Sequence, residues 1–281
     1  MEIKFKKSNQ NHSTNMNQKQ GVPFLTFPKL EQAGVKHGFS TRLGGVSEGI
    51  FASMNLSYHR GDKKESVDEN YRRMGQAIGF TLDQRVFSNQ IHKTEIKIVT
   101  KNDRGKIMKG KDGLMTDETG ICLVTSYADC VPLFFYDPVQ GVIASSHSGW
   151  RGTVCRMGQK TVEKMQEVYG SKAEDIIAAI GPSICQNCYE VSEDVASKFR
   201  EEFPDQWYQE FMIEKGNGKY QLDLWKINEL ILLDAGIRKE HLDVTDICTC
   251  CNPDLLFSHR ASEGKRGNLA GFIMKDESEQ R

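Results

Sequence analysis

The sequence predicts a mixed α/β fold, and three observations carry that expectation. Short apolar, β-rich runs are bounded by turn residues, and amphipathic stretches with helical period lie between them. The composition, 38% hydrophobic and 27% charged over 281 residues, is that of a globular chain with enough apolar material for a sizeable core.

Taken in order, residues 67–79 read as a helix closed by Gly79, with Val67, Tyr71, Met74 and Ile78 on one face. Residues 85–92 and 94–100 read as strands, as do the apolar runs 121–128 and 131–137. The turn Asp137-Pro138 leads into a further strand at 141–147. Gly149-Trp150-Arg151-Gly152 then turns the chain into a helix expected from about Thr153 to Tyr169, stopped by Gly170. The stretch DIIAAIGP is a strand ending in a Gly-Pro turn. Ser192 and Asp223 stand where they would cap two amphipathic helices. Residues 255–260 and 268–274 are expected as closing strands around a turn at 264–267.

Residues 1–20, rich in Asn, Gln, Lys and Ser, are expected to form a flexible polar tail, and residues 276–281 a polar end. No linker composition divides residues 21–275, which read as a single catalytic domain. Lys and Arg total 37 against 38 acidic residues, a balance that disfavours nucleic acid or an anionic membrane as partner. The start lacks the apolar stretch of a secretory signal, so a cytoplasmic location is expected. The eight cysteines then read as free, metal-bound or catalytic thiols, most of them small core residues. The oligomeric state is open.

His92, Cys130 and His147 each stand where a strand pattern stops, among small or polar residues. Two imidazoles and a thiolate suit Zn²⁺, or Cu²⁺, and leave a fourth position for water. Their wide separation matches no short metal motif, so spacing alone favours hydrogen-bonded histidines and a buried thiol over a metal site at this point. Arg42, beside Gly44 and Gly45 in FSTRLGG, and Arg151, at the expected helix start, are candidates for holding an anion. The two glycines permit a tight turn or a close backbone approach to a ligand. Trp150 reads as core.

The segments HGFSTRLGGVS, NQIH, DGLMT, ADCVPL, HSGWRG, IGPSI, YEV and FSHRASEGKRG occur in the order found in the YlmD/YfiH family. With residues 55–62 they cover roughly residues 35–275, and the chain resembles that family. The resemblance implies a layered α/β/β/α fold with mixed sheets, similar to a cysteine-deamidase toxin domain. It further implies phosphorolysis of adenosine, inosine and methylthioadenosine by inorganic phosphate, to free base and ribose 1-phosphate, with deamination of adenosine to inosine by a metal-activated water. The family's metal site falls on His92, Cys130 and His147. In this chemistry Arg42 and Arg151 would bind phosphate, Asn55 and Gln90 would fix sugar or base, and Asp129 would carry a proton. Ser148 and Ile91 depart from the usual family residues without removing a ligand.

Three other readings compete. A laccase-like polyphenol oxidase is open only with copper at a single site. A multicopper centre needs on the order of ten histidines, whereas the chain has seven and no His-x-His pair. A hydrolase would use Cys130 as nucleophile and His147 as base. A structural zinc protein would use Cys185-x-x-Cys188 with Cys248-x-Cys250-Cys251, in which the second half is a poor zinc pattern.

Overall fold

The computed structural model describes residues 3–6 and 12–276. The expected ends at residues 1, 2, 7–11 and 277–281 lie outside them. Two sheets stack face to face, with helices on both outer surfaces. The first sheet runs in the order Asn15–Lys19, Val22–Thr26, Lys36–Ser40, Leu269–Met274, Cys122–Tyr127, Arg85–Asn89, Ile107–Lys109. The second runs Leu242–Val244, Ile177–Ile180, Val131–Asp137, Val142–Ser148, Gly113–Thr116, Ile96–Ile98. Parallel and antiparallel pairs occur in both.

The period of two along the central strands explains the layering. Phe134 and Tyr136 point between the sheets and meet Phe39, Leu123 and Tyr127, while Leu133 and Phe135 point to the outer helical layer. The strand Val131–Asp137 is buried along its whole length, as its unbroken apolar run requires. Outside the first sheet lies the helix Lys64–Ile78, whose Val67, Tyr71 and Met74 pack against Val124 and Phe272. Each such fully buried side chain contributes about 2 kcal/mol. Outside the second sheet lie the helices Met157–Tyr169 and Leu224–Asp234, which pack on each other and on the strands. The mixed α/β fold in α/β/β/α layers is thereby established. A small third sheet pairs Glu190–Ser192, Lys219–Leu222 and Met212–Gly216. No helix of the described residues is long and apolar enough to cross a membrane.

Several local expectations need correction. Asn15–Lys19 is an edge strand paired with Val22–Thr26, not part of a tail, because backbone pairing across the Gln20–Gly21 turn needs no apolar side chains. The helix expected from Thr153 is two helices, Trp150–Val154 and Met157–Tyr169, broken where Arg156 takes φ 55°. Residues 255–260 form turns, with the Leu255 and Leu256 N–H groups both donating to the Asn252 carbonyl. Gly79 and Gly170 close their helices in the left-handed conformation. Asp223 caps its helix by accepting from the Trp225 and Lys226 N–H groups. Ser192 occupies the cap position but donates its hydroxyl to Asp194 instead.

Candidate metal centre

His92, Cys130 and His147 come from three different chain segments and converge, with one ligand atom from each within 4.8 Å of the others. His147 lies on Val142–Ser148, next to the strand that begins one residue after Cys130. The imidazole rings of His92 and His147 meet edge to face, centroids 4.9 Å apart. Two of the three positions are reached through left-handed backbone: His92 itself has φ 59°, and Asp129, just before Cys130, has φ 81°. Such conformations cost of order 1–3 kcal/mol each in non-glycine residues and persist where the surroundings enforce them.

Asp112 enforces one of them. Its carboxylate accepts three successive backbone N–H groups, from Ile91 (3.0 Å), His92 (2.9 Å) and Lys93 (3.1 Å). The same carboxylate pairs with Nδ1 of His147 at 3.0 Å, which fixes the ring and leaves Nε2 available as a ligand. Burial works against charge on His147, but the Cys130 sulfur and the Asp112 carboxylate outweigh it and push the pKa up to about 9. Burial likewise disfavours charge on Asp112, yet the His147 bond and the Ile91 and Lys93 N–H groups hold it below the usual carboxylate range. His92 lies below the ordinary imidazole value, through burial and then through neighbouring His147.

Gly149 completes the wall. A Cβ there would stand 3.1 Å from both Sγ of Cys130 and Nδ1 of His92, so this position must stay bare for the ligands to converge. Beside His92 opens a pocket of about 390 Å³, lined among others by Lys93, Trp150, Arg151, Val154 and Lys198. The Arg151 guanidinium lies over the Trp150 ring, 4.2 Å from its centroid. Trp150 is half-buried: it packs against the hydrophobic cluster beneath the second sheet and also walls the pocket. Arg151 sits within the first turn of the short helix Trp150–Val154 rather than ahead of a longer one.

The other expected site residues make hydrogen bonds or close contacts within the protein. Arg42 donates from Nε and Nη2 to the Ala52 carbonyl and from Nη1 to that of Pro253, so its guanidinium ties two loops together. Asn55 is fully buried; it donates to Ser57 O and Asp62 and accepts from the Ser57 and Asn268 N–H groups. Gln90 bonds both the N–H and the C=O of Ser126. Gly44 and Gly45 lie against neighbouring backbone: a Cβ on Gly45 would lie 2.1 Å from the Ser53 carbonyl oxygen, and one on Gly44 3.0 Å from that of Gly21. Asp129 accepts from the Thr249 hydroxyl (2.6 Å) and the Arg260 N–H (2.7 Å), which braces the turn before Cys130.

Asp112, Gly149 and a cationic cluster around Arg266 were not assigned roles by sequence reasoning. The conspicuous segments DGLMT, HSGWRG and FSHRASEGKRG contain them, but spacing alone does not separate a bracing residue from a ligand. Arg266 is pushed down to about 10 by burial and then by Arg60, and lies within electrostatic range of Asp129 and Cys130. Its Nη2 approaches His259 Nδ1 at 3.4 Å, and its buried Nε has no hydrogen-bond partner.

The family described as multi-copper polyphenol oxidoreductase laccase matches residues 36–276. The chain is 39% identical over 243 residues to the protein named purine nucleoside phosphorylase YlmD of Bacillus subtilis (strain 168), covering 84% of this chain and 87% of that one. It is also 39% identical over 253 residues to a purine nucleoside phosphorylase of Deinococcus radiodurans, covering 90% and 93%. The crystal structure of YlmD from Geobacillus stearothermophilus superposes with a TM-score of 0.88 at 36% identity, covering 93% of this chain and 99% of that one. With that match spanning both sheets and all three converging ligands, the chain belongs to the multi-copper polyphenol oxidoreductase laccase family, the family of YlmD and YfiH.

Proposed function

We propose that the chain is a metal-dependent purine nucleoside phosphorylase that acts on adenosine, inosine and methylthioadenosine and also deaminates adenosine at the same centre. The observation that carries this reading is the convergence of His92, Cys130 and His147 beside a pocket with an aromatic wall and cationic rim. The names borne by the relatives from B. subtilis and D. radiodurans support the substrate class. Among the described residues, the side chains that can hold a metal form this trio and one group of four cysteines, which suits single ions rather than a multicopper array.

Two imidazoles and a thiolate match Zn²⁺ best, with Cu²⁺ as the second choice. When bound there, the ion supplies Lewis acidity and a water of lowered pKa. The chain's own residues do the rest. Asp112 orients His147 and shapes the His92 loop, while Gly149 keeps the approach open. The Trp150 indole offers a flat apolar face to a purine. Arg151, on the pocket rim, would hold phosphate as its oxygen bonds C1′ and the C1′–N9 bond breaks, and the Arg60–Arg266 pair would add positive charge within electrostatic range of Cys130. Chromatography of protein incubated with each nucleoside, with and without phosphate, tests the reading: free base must form only when phosphate is present, and inosine must form from adenosine without it.

One observation favours a second reading. Asp112, His147 and Cys130 stand in the order orienter, base and nucleophile, as in cysteine hydrolases. Iodoacetamide distinguishes the two: a metal-held Cys130 is protected until a chelator is added, whereas a free nucleophile labels at once.

A further inference from the structure

The second group is formed by Cys185, Cys188, Cys248 and Cys251, whose sulfurs all lie within 4.8 Å of one another. The pattern is C-x-x-C followed by C-x-x-C, because Cys251 and not Cys250 completes the second half; the extra cysteine between them hides the spacing in the sequence. The Sγ–Sγ separations are 3.4 Å for Cys188–Cys251 and 4.0 Å for Cys185–Cys251. Tetrahedral zinc with Zn–S bonds near 2.3 Å sets its sulfurs roughly 3.8 Å apart, whereas a disulfide needs about 2.05 Å. Four sulfurs this close surround one ion; sulfide-bridged iron clusters hold theirs further apart.

The surroundings suit a tetrathiolate. The Cys185 N–H donates to Sγ of Cys248 at 3.2 Å, and the Lys6 ammonium bonds Cys251, giving a cation to offset the thiolate charge. Lys6 is held there by its N–H on the Asp246 carbonyl (2.8 Å) and by the bridge between Phe5 and Ile247. Cys185 and Cys248 are buried and the other two half-buried, so the group is closed toward solvent on one side.

We propose that these four cysteines form a structural zinc site, separate from the His92 centre, that clamps the segment after Ile177–Ile180 to the segment after Leu242–Val244. The clamp also braces the turn carrying Cys130. Ile184 donates to the Asp129 carbonyl, Thr249 holds the Asp129 carboxylate, and Arg260 joins that carboxylate to the Cys188 carbonyl.

The test counts zinc in the purified full-length protein and repeats the count in His92→Ala, Cys251→Ser and Cys250→Ser. Wild type and Cys250→Ser are expected to hold two zinc ions per chain, and His92→Ala one. Cobalt replacing the ion retained by His92→Ala should show the intense visible and near-ultraviolet bands of a tetrathiolate. If Cys251→Ser does not fold, alkylation of the native wild type still decides: Cys185, Cys188, Cys248 and Cys251 should resist iodoacetamide until a chelator is added. A His92→Ala protein holding no metal, immediate alkylation of all four thiols, a disulfide among them, or an iron–sulfur chromophore would each overturn the assignment.

Discussion

Asp112 and His147 are joined twice: Oδ1 of the aspartate pairs with Nδ1 of the imidazole at 3.0 Å, and the aspartate carbonyl accepts the His147 N–H at 2.7 Å. The backbone bond sets where the histidine sits, and the carboxylate sets which ring nitrogen faces Cys130. With the three N–H groups of Ile91, His92 and Lys93 on the same carboxylate, one side chain positions two of the three converging ligands.

Asp112→Asn should therefore weaken the metal without unfolding the protein. An amide can accept from some of the loop N–H groups but presents a second donor to the others. Loss of such a supporting carboxylate typically costs about 10–100-fold in metal affinity. Competition with a chromophoric chelator reads this directly; affinity equal to wild type would remove Asp112 from its supporting role.

Gly149→Ala places a methyl group 3.1 Å from both a sulfur and a ring nitrogen of the centre. The ligands must move apart by a few tenths of an ångström, and small displacements at reacting centres cost up to about 10²-fold in rate. The expected result is a near-normal thermal melt with metal retention and turnover both down by about tenfold or more.

Arg151→Ala and Arg42→Ala should separate binding from structure. The first should raise the phosphate concentration needed for phosphorolysis far more than it affects adenosine deamination. The second removes a half-buried guanidinium bonded to the carbonyls of half-buried Ala52 and exposed Pro253 and should cost about 1–2 kcal/mol of stability, with no selective effect on phosphate. Denaturant melts and phosphate titrations on the two variants check the contrast.

Phosphate use should also fall at high pH. Burial and the nearby Arg60 lower the Arg266 pKa to about 10, so its charge is complete near neutrality and is lost as pH rises through about 10. Phosphate stays a dianion across that range, so a phosphate KM that rises between pH 8 and 11 while adenosine deamination at the His147 centre holds steady would reflect the arginine. A KM independent of pH there would take Arg266 out of the anion site.

Much of the fold was legible because buried strands such as Val131–Asp137 and amphipathic helices such as Lys64–Ile78 advertise their period. Asn15–Lys19 was not, since an exposed edge strand is held by backbone bonds that leave no apolar pattern. The stretch at 255–260 misled in the opposite direction: Leu255, Leu256 and Phe257 are buried, but the backbone bonds there close turns around Asn252. At the centre, strand ends singled out the three ligands, but only the family likeness decided for a shared metal, because residues this far apart carry no short metal motif. The internal partners of Asn55 and Gln90, Asp62 and Asn268 in one case and Ser126 in the other, were not legible, because a sequence does not reveal which polar groups meet across the fold. The C-x-x-C ending at Cys251 was concealed by Cys250.

Comparing Cys130→Ser with wild type, by zinc content and by phosphate-dependent release of hypoxanthine from inosine, tests the central claim most directly. The variant should fold, lose one equivalent of metal, and release no base above background, while wild type yields base and ribose 1-phosphate together. A folded Cys130→Ser protein with full metal and undiminished phosphorolysis would contradict the account.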